Sequence, residues 1–193
     1  MSKRIALFSA AALGVLALTA TVVAPVSAQD NKMKSEMSGE KTVMVGGAAM
    51  FPSKNIVQNA VNSKDHTTLV AAVKAAGLVD TLEGKGPFTV FAPTNAAFGK
   101  LPAGTVDTLV KPENKAALTK ILTYHVVPGK LEASDLTDGK KLKTVQGEEL
   151  TVKRSGDTVM IIDAKGGSST VTIPNVNQSN GVIHVVDTVL MPS

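Results

Sequence analysis

The feature that most constrains this chain is a change of periodicity near Thr123. Before it, apolar residues recur at the three- and four-residue spacing of helices; after it, short runs of Val, Ile and Thr are cut by glycines. Helices are expected over residues 55–60, 65–76, 96–100, 105–110 and 114–123. In the second, Leu69, Val70, Val73 and Ala76 share one face, Asp65 or Thr67 supplies a cap, and Gly77 closes the C-terminus. Thr94 is the natural N-cap of the third, because its hydroxyl can accept from free first-turn amides. Leu118, Ile121 and Leu122 form the apolar stripe of the last. Residues 88–91 read as a strand, apolar on both faces or nearly so. Residues 124–127 read as another, stopped by Pro128-Gly129, which would put Tyr124 and His125 on opposite faces. Further strands are expected over 141–145, 150–153, 158–162, 169–173, 182–186 and 188–190, and Asn180-Gly181 favours a type I′ hairpin turn. Helices crowding the first half and strands the second indicate an α+β fold with a mainly antiparallel sheet. No repeat of domain size is visible, and 193 residues suit one module with an appendage.

The appendage is N-terminal. Lys3 and Arg4 precede an apolar stretch over 5–18, and Val26-Ser27-Ala28 is a small-residue cleavage site. Residues 1–28 therefore read as a signal peptide cut between Ala28 and Gln29. The alternative, a membrane anchor, meets a run that is short for a span and interrupted by Thr19, Thr21 and Pro25. An exported protein, periplasmic or secreted, with no stable membrane span is expected. Residues 29–49 read as a flexible spacer, polar and without regular apolar periodicity, and the folded domain is placed at 50–193. Met33, Met37, Met44 and Met50 cluster loosely at this end, and thioethers can be soft ligands for monovalent copper. No second ligand type accompanies them, so Met scattered through a linker and a domain edge is the simpler reading, and no cofactor is expected.

Composition removes several functions. The chain has no cysteine, which excludes disulfides, thiolate metal sites and cysteine nucleophiles. Aromatics make up 3% of residues, too few for folds that stack bases on several rings. The formal charge of +4 falls to +2 without Lys3 and Arg4, and Arg154 is then the one arginine left, so no basic surface for nucleic acid is indicated. Gly166-Gly167-Ser168-Ser169 lacks the closing glycine of a nucleophile elbow, and Gly139-Lys140 is followed by Lys141 instead of the Ser or Thr of a phosphate loop. His66, His125 and His184 stand far apart without zinc spacing. Glu148 and Glu149 are adjacent and would face opposite ways on a strand. Asn177-Gln178-Ser179 matches a short glycosylation pattern that is common by chance.

Three stretches carry a resemblance. The run from Gly86 through Phe88, Phe91, Pro93, Thr94 and Asn95 to Phe98 closely resembles the first box of fasciclin-like domains. Leu122-Thr123-Tyr124-His125-Val126-Val127-Pro128-Gly129 is similar to their Tyr-His motif, and the run from Asn180-Gly181 through His184 to Pro192 is similar to their second box. The order is right, and the likeness spans about 51–193. The resemblance implies a β-wedge with helices packed on it. It also implies a secreted or surface-bound protein that acts, without catalysis, in adhesion to a protein, cell-surface or matrix partner.

The motif residues have their own physical readings. Phe88, Val90, Phe91 and Phe98 are most simply core, with Pro93 and Thr94 making the turn between strand and helix. Tyr124 and His125 are the candidate partner-binding residues, since in relatives the pair is tied both to adhesion and to structural integrity. His125 equally suits a structural part, donating from one ring nitrogen and accepting at the other. His184, within Val182-Ile183-His184-Val185-Val186, reads as a hydrogen-bonded strand histidine. Arg154-Ser155-Gly156-Asp157 has one residue too many for the acidic motif of integrin-binding relatives. A monomer is the expected state. The alternative function is a periplasmic binder of a small ligand or copper ion, resting on the methionines and His66. A hydrolase would need a nucleophile–base pair that the sequence does not assemble.

Overall fold

The computed structural model describes residues 41–193. The expected signal peptide, Met33, Met37 and most of the expected spacer lie outside the described residues. The fold begins with strands β1 (Val43–Val45) and β2 (Ala48–Met50). It continues through helix α1 (Ile56–Ala60), a 3₁₀ turn (Lys64–His66), α2 (Thr67–Ala76) and α3 (Val79–Glu83). Strand β3 (Phe88–Pro93) leads to α4 (Asn95–Gly99), α5 (Thr105–Leu109) and α6 (Lys115–Tyr124). The remainder is sheet: β4 (Val126–Pro128), β5 (Lys141–Lys143), β6 (Glu149–Ser155), β7 (Thr158–Ile162), β8 (Ser168–Gln178) and β9 (Gly181–Val186). Among the described residues no helix is long and apolar enough to cross a membrane.

The start of the domain corrects the expected boundary. Residues 43–49, read as spacer, form a hairpin, because Gly46 and Gly47 supply two successive positive φ angles, 58° and 75°. Its inward residues Val45 and Met50 enter the core, whereas Met44 is 60% exposed. The hairpin therefore does not gather its two methionines into a ligand set. Asn180-Gly181 makes no type I′ turn: neither residue has a positive φ, and the two-residue connection is Ser179-Asn180.

Seven strands run in the order β4-β3-β9-β8-β7-β6-β5. All neighbours are antiparallel except β3 and β9, which pair parallel with Phe91 opposite His184. The long strand β8 carries register shifts between Val171 and Val176, with Asn175 at φ 56°, and serves both halves of the sheet. The far edges approach each other where the Val145 amide donates to the Val126 carbonyl at 2.8 Å. The sheet is thus a wedge with two apolar sides. Inside it lie Phe91, Tyr124, Leu136, Leu150, Ile161 and Val186. On its other face Val90, Ala92, Ile183 and Val185 pack against the helices through Leu69, Val73, Phe98 and Leu122. Alternation along β3 sends Val90 and Ala92 to the helices and Phe91 into the wedge, so both faces of this strand are buried. Residues 188–190 form no strand; Val189 and Leu190 are nevertheless buried.

Candidate functional site

The Tyr-His pair lies where the last helix meets the sheet. Contrary to the strand expectation, Tyr124 is the final residue of α6 and His125 caps it in the right-handed helical region. The apolar stripe of α6 extends to Tyr124, which draws this last turn into the core. The turn tightens as the His125 amide donates to the Leu122 carbonyl at 3.1 Å, and this leaves the Ile121 carbonyl without its helical donor. The His125 ring supplies the missing bond, Nδ1 to Ile121 O at 2.8 Å, while Nε2 accepts from the Leu190 amide at 3.0 Å. A carbonyl on one side and an amide on the other fix the neutral tautomer with the proton on Nδ1. The His125 carbonyl also accepts from the Phe91 amide at 2.9 Å. One residue thereby joins α6, β3 and the C-terminal segment. It is 2% exposed. Burial pushes its pKa down to about 4, against the smaller opposing pull of the Ile121 carbonyl and Asp163.

Tyr124 is fully buried inside the wedge. Its hydroxyl accepts from the Ala164 amide at 2.8 Å and donates to the Glu149 carbonyl at 3.4 Å. Burial raises its pKa, with the Ala164 amide working in the opposite sense. Neighbouring Asp163 holds the Lys165 and Gly167 amides through one oxygen and the Met191 amide through the other. His184 is also fully buried. Its ring stacks on Phe91 with centroids 5.7 Å apart and 26° between planes, Nε2 donates to the Leu131 carbonyl at 2.8 Å, and Nδ1 faces the Asn175 amide at 3.4 Å. Burial lowers its pKa. Pro93 is buried at the end of β3, Thr94 caps α4 by accepting from the Ala97 amide at 3.2 Å, and Phe98 enters the helical core. The structure therefore gathers Phe91, Tyr124, His125 and His184 around β3, with no side chain of the four reaching the surface.

Asn180 is the positioning residue that sequence reasoning missed. Its Oδ1 accepts from the Ile56 amide at 3.1 Å, and its Nδ2 donates to the Leu82 and Gly84 carbonyls at 2.6 and 3.0 Å. Its own carbonyl accepts from the Phe88 amide at 3.1 Å. Through its side chain Asn180 fastens the start of α1 and the end of α3 to the β8–β9 turn, and through its main-chain carbonyl it holds the start of β3. The only signal was the dipeptide Asn180-Gly181, which serves here through side-chain amide chemistry and close approach: a Cβ on Gly181 would come within 2.0 Å of the Phe88 carbonyl oxygen. Around this corner opens a cleft of about 580 Å³ lined by Asn55, Gln58, Lys85, Lys130 and Ser179 among others. Gln58, Lys85, Lys130 and Ser179 are exposed. The cleft offers amides, a hydroxyl, two ammonium groups and the exposed carboxylate of Glu83, a surface suited to a polar partner.

Residues 64–192 match the family model described as the fasciclin domain. The chain belongs to the fasciclin family. It is 50% identical over 153 residues to Protein sll1483 of Synechocystis, covering 79% of this chain and 82% of that one. It is 35% identical over 199 residues to the immunogenic protein MPB70 of Mycobacterium bovis, covering 100% and 98% of the two chains. The cell surface glycolipoprotein MPB83 of the same species is 36% identical over 179 residues, with 90% and 77% covered. Among solved structures, a FAS1 domain pair from the insect cell adhesion molecule fasciclin I superposes with a TM-score of 0.65 at 20% identity, covering 73% of this chain and 52% of that one. That likeness establishes the fold: the wedge and its flanking helices are those of a fasciclin domain.

Proposed function

We propose that this fasciclin domain is an exported, non-catalytic adhesion or partner-binding protein, and that the polar cleft around Asn180 is its contact surface. The observation that carries the proposal is the division of labour among polar groups. Tyr124, His125 and His184 are buried with hydrogen-bond partners on both sides, whereas Lys85, Lys130, Gln58 and Ser179 are exposed around one concavity. A base whose ring nitrogens are both committed, and whose pKa burial has lowered, is poorly placed to activate a nucleophile. The similarity to a cell surface glycolipoprotein supports a place outside the cytoplasm, as does the signal-peptide pattern.

The test is binding of the mature chain to envelope material of the producing cell, wild type against the double variant Lys85→Glu, Lys130→Glu. The proposal expects binding to fall at least about tenfold, about 1.4 kcal/mol, at an unchanged melting temperature. Equal binding by both proteins would place the contact surface elsewhere.

A further inference from the structure

Of the asparagines in the chain, Asn180 is the one followed by glycine. An asparagine before glycine is the most reactive kind in an open chain, because no side chain shields the glycine amide. That nitrogen attacks the asparagine Cγ and loses its proton, and ammonia leaves as a five-membered succinimide closes. Water then opens the ring to aspartate or, at its other carbonyl, to isoaspartate. The reaction needs water alone, and it is independent of what the neighbouring cleft binds. The folded chain blocks each stage of it. The leaving amide is engaged, with Nδ2 donating to the Leu82 and Gly84 carbonyls at 2.6 and 3.0 Å, and Oδ1 accepts from the Ile56 amide at 3.1 Å. Swinging Cγ onto the Gly181 nitrogen breaks all three bonds. The nucleophile is enclosed too, since Gly181 is buried and solvent has poor access to the proton its nitrogen must lose. Its main chain lies against β3: a Cβ on Gly181 would stand 2.0 Å from the Phe88 carbonyl oxygen, and the Phe88 amide donates to the Asn180 carbonyl at 3.1 Å. Ring closure requires the main chain to turn at this link, where the packing leaves no room.

The product cannot take over the work of the amide. A carboxylate accepts hydrogen bonds and donates none. One of its oxygens could still receive the Ile56 amide, but the other would face the Leu82 and Gly84 carbonyls, acceptor against acceptor. Isoaspartate also adds a carbon to the main chain just before Gly181, where β9 must meet Phe88 in register. We propose that Asn180 is a latent self-modification site. It is silent while the corner is closed and reactive once α1, α3 and β3 part from the β8–β9 turn. Because the step is irreversible, a chain that has stayed open is marked and kept from closing again.

The experiment holds the mature chain at mildly alkaline pH, folded in buffer and unfolded in guanidinium, and follows conversion of each asparagine by peptide mass spectrometry. In guanidinium Asn180 should react before every other asparagine. In the folded chain it should react at least about tenfold more slowly, which corresponds to about 1.4 kcal/mol of opening free energy. After dilution from guanidinium, the converted fraction should stay unfolded or melt below the unconverted one. Asn180→Asp should show the same deficit, and its gap to the wild type should narrow as the pH falls and the carboxyl regains a proton to donate. Equal rates at Asn180 in the folded and unfolded chain, or converted chain that refolds with the wild-type melting temperature, would overturn the proposal. Should Asn180→Asp fail to fold, the two rates measured on the wild-type chain still decide.

Discussion

The imidazole of His125 accepts a hydrogen bond from the backbone amide of Leu190, 65 residues further along the chain, at 3.0 Å. With Nδ1 bonded to the Ile121 carbonyl, the ring is a neutral strut between α6 and the C-terminal segment. Protonation would convert Nε2 from acceptor to donor and set it against the Leu190 amide.

Stability should therefore fall on mild acidification. In the folded chain His125 titrates at about 4, below the ordinary value of 6.5, so the unfolded chain binds protons more readily. The contribution of His125 is fully present above about pH 6.5 and is lost as pH falls to about 4, amounting to about 3 kcal/mol. Burial lowers the pKa values of His66 and His184 too, and both add to the loss in the same direction. Denaturant unfolding measured from pH 7.5 to 4 checks this; a stability that is flat across that window would contradict it.

The Asn180 corner predicts a pair of unequal outcomes. Asn180→Ala removes one acceptor and two donor bonds from α1 and α3, and should cost about 2–3 kcal/mol. Gly181→Ala should be worse, because its Cβ would lie 2.0 Å from the Phe88 carbonyl in the parallel β3–β9 pair, and folding should be lost or weakened by more than about 4 kcal/mol. Chemical denaturation of the two variants ranks them; a mild Gly181→Ala phenotype would mean the strands can part without penalty.

The hairpin makes a truncation prediction. Deleting residues 29–47 removes Val45 from the core and should cost about 1.5–3 kcal/mol, whereas a deletion ending at residue 40 spares the hairpin. For a domain of this size the longer deletion should lower the melting temperature by roughly 3–12 °C. Equal melting of the two truncations would show that the hairpin contributes nothing to the core.

What the sequence reveals here is chemistry that acts within a few residues. Thr94 caps α4 as its hydroxyl allows, Gly77 ends α2 at φ 72°, and the run Phe88–Pro93 becomes a strand buried on both faces. The type I′ signature was also present, but at Gly46-Gly47, where the flanking Ala48-Ala49 are weak strand formers and hide the hairpin. Asn180-Gly181 carried the stronger pattern and a different purpose, since its demands come from α1, α3 and β3, more than 90 residues away in sequence. Local spacing suggests a strand at Tyr124 because it cannot show that the wedge interior draws one more residue of the helix inward. The short helix Val79–Glu83 has a single buried residue, Leu82, and so leaves little periodic trace.

We propose that the Tyr-His pair keeps the fold together while contact with partners is made elsewhere. The most direct measurement is His125→Ala, with thermal unfolding and envelope binding recorded on one preparation. Loss of the ring orphans the Ile121 carbonyl and the Leu190 amide, at a cost of about 1–3 kcal/mol, or roughly 2–12 °C for this chain length. The predicted result is that lower melting temperature, with binding per folded molecule equal to wild type. An unchanged melting temperature with binding abolished would contradict it and assign His125 to the contact surface.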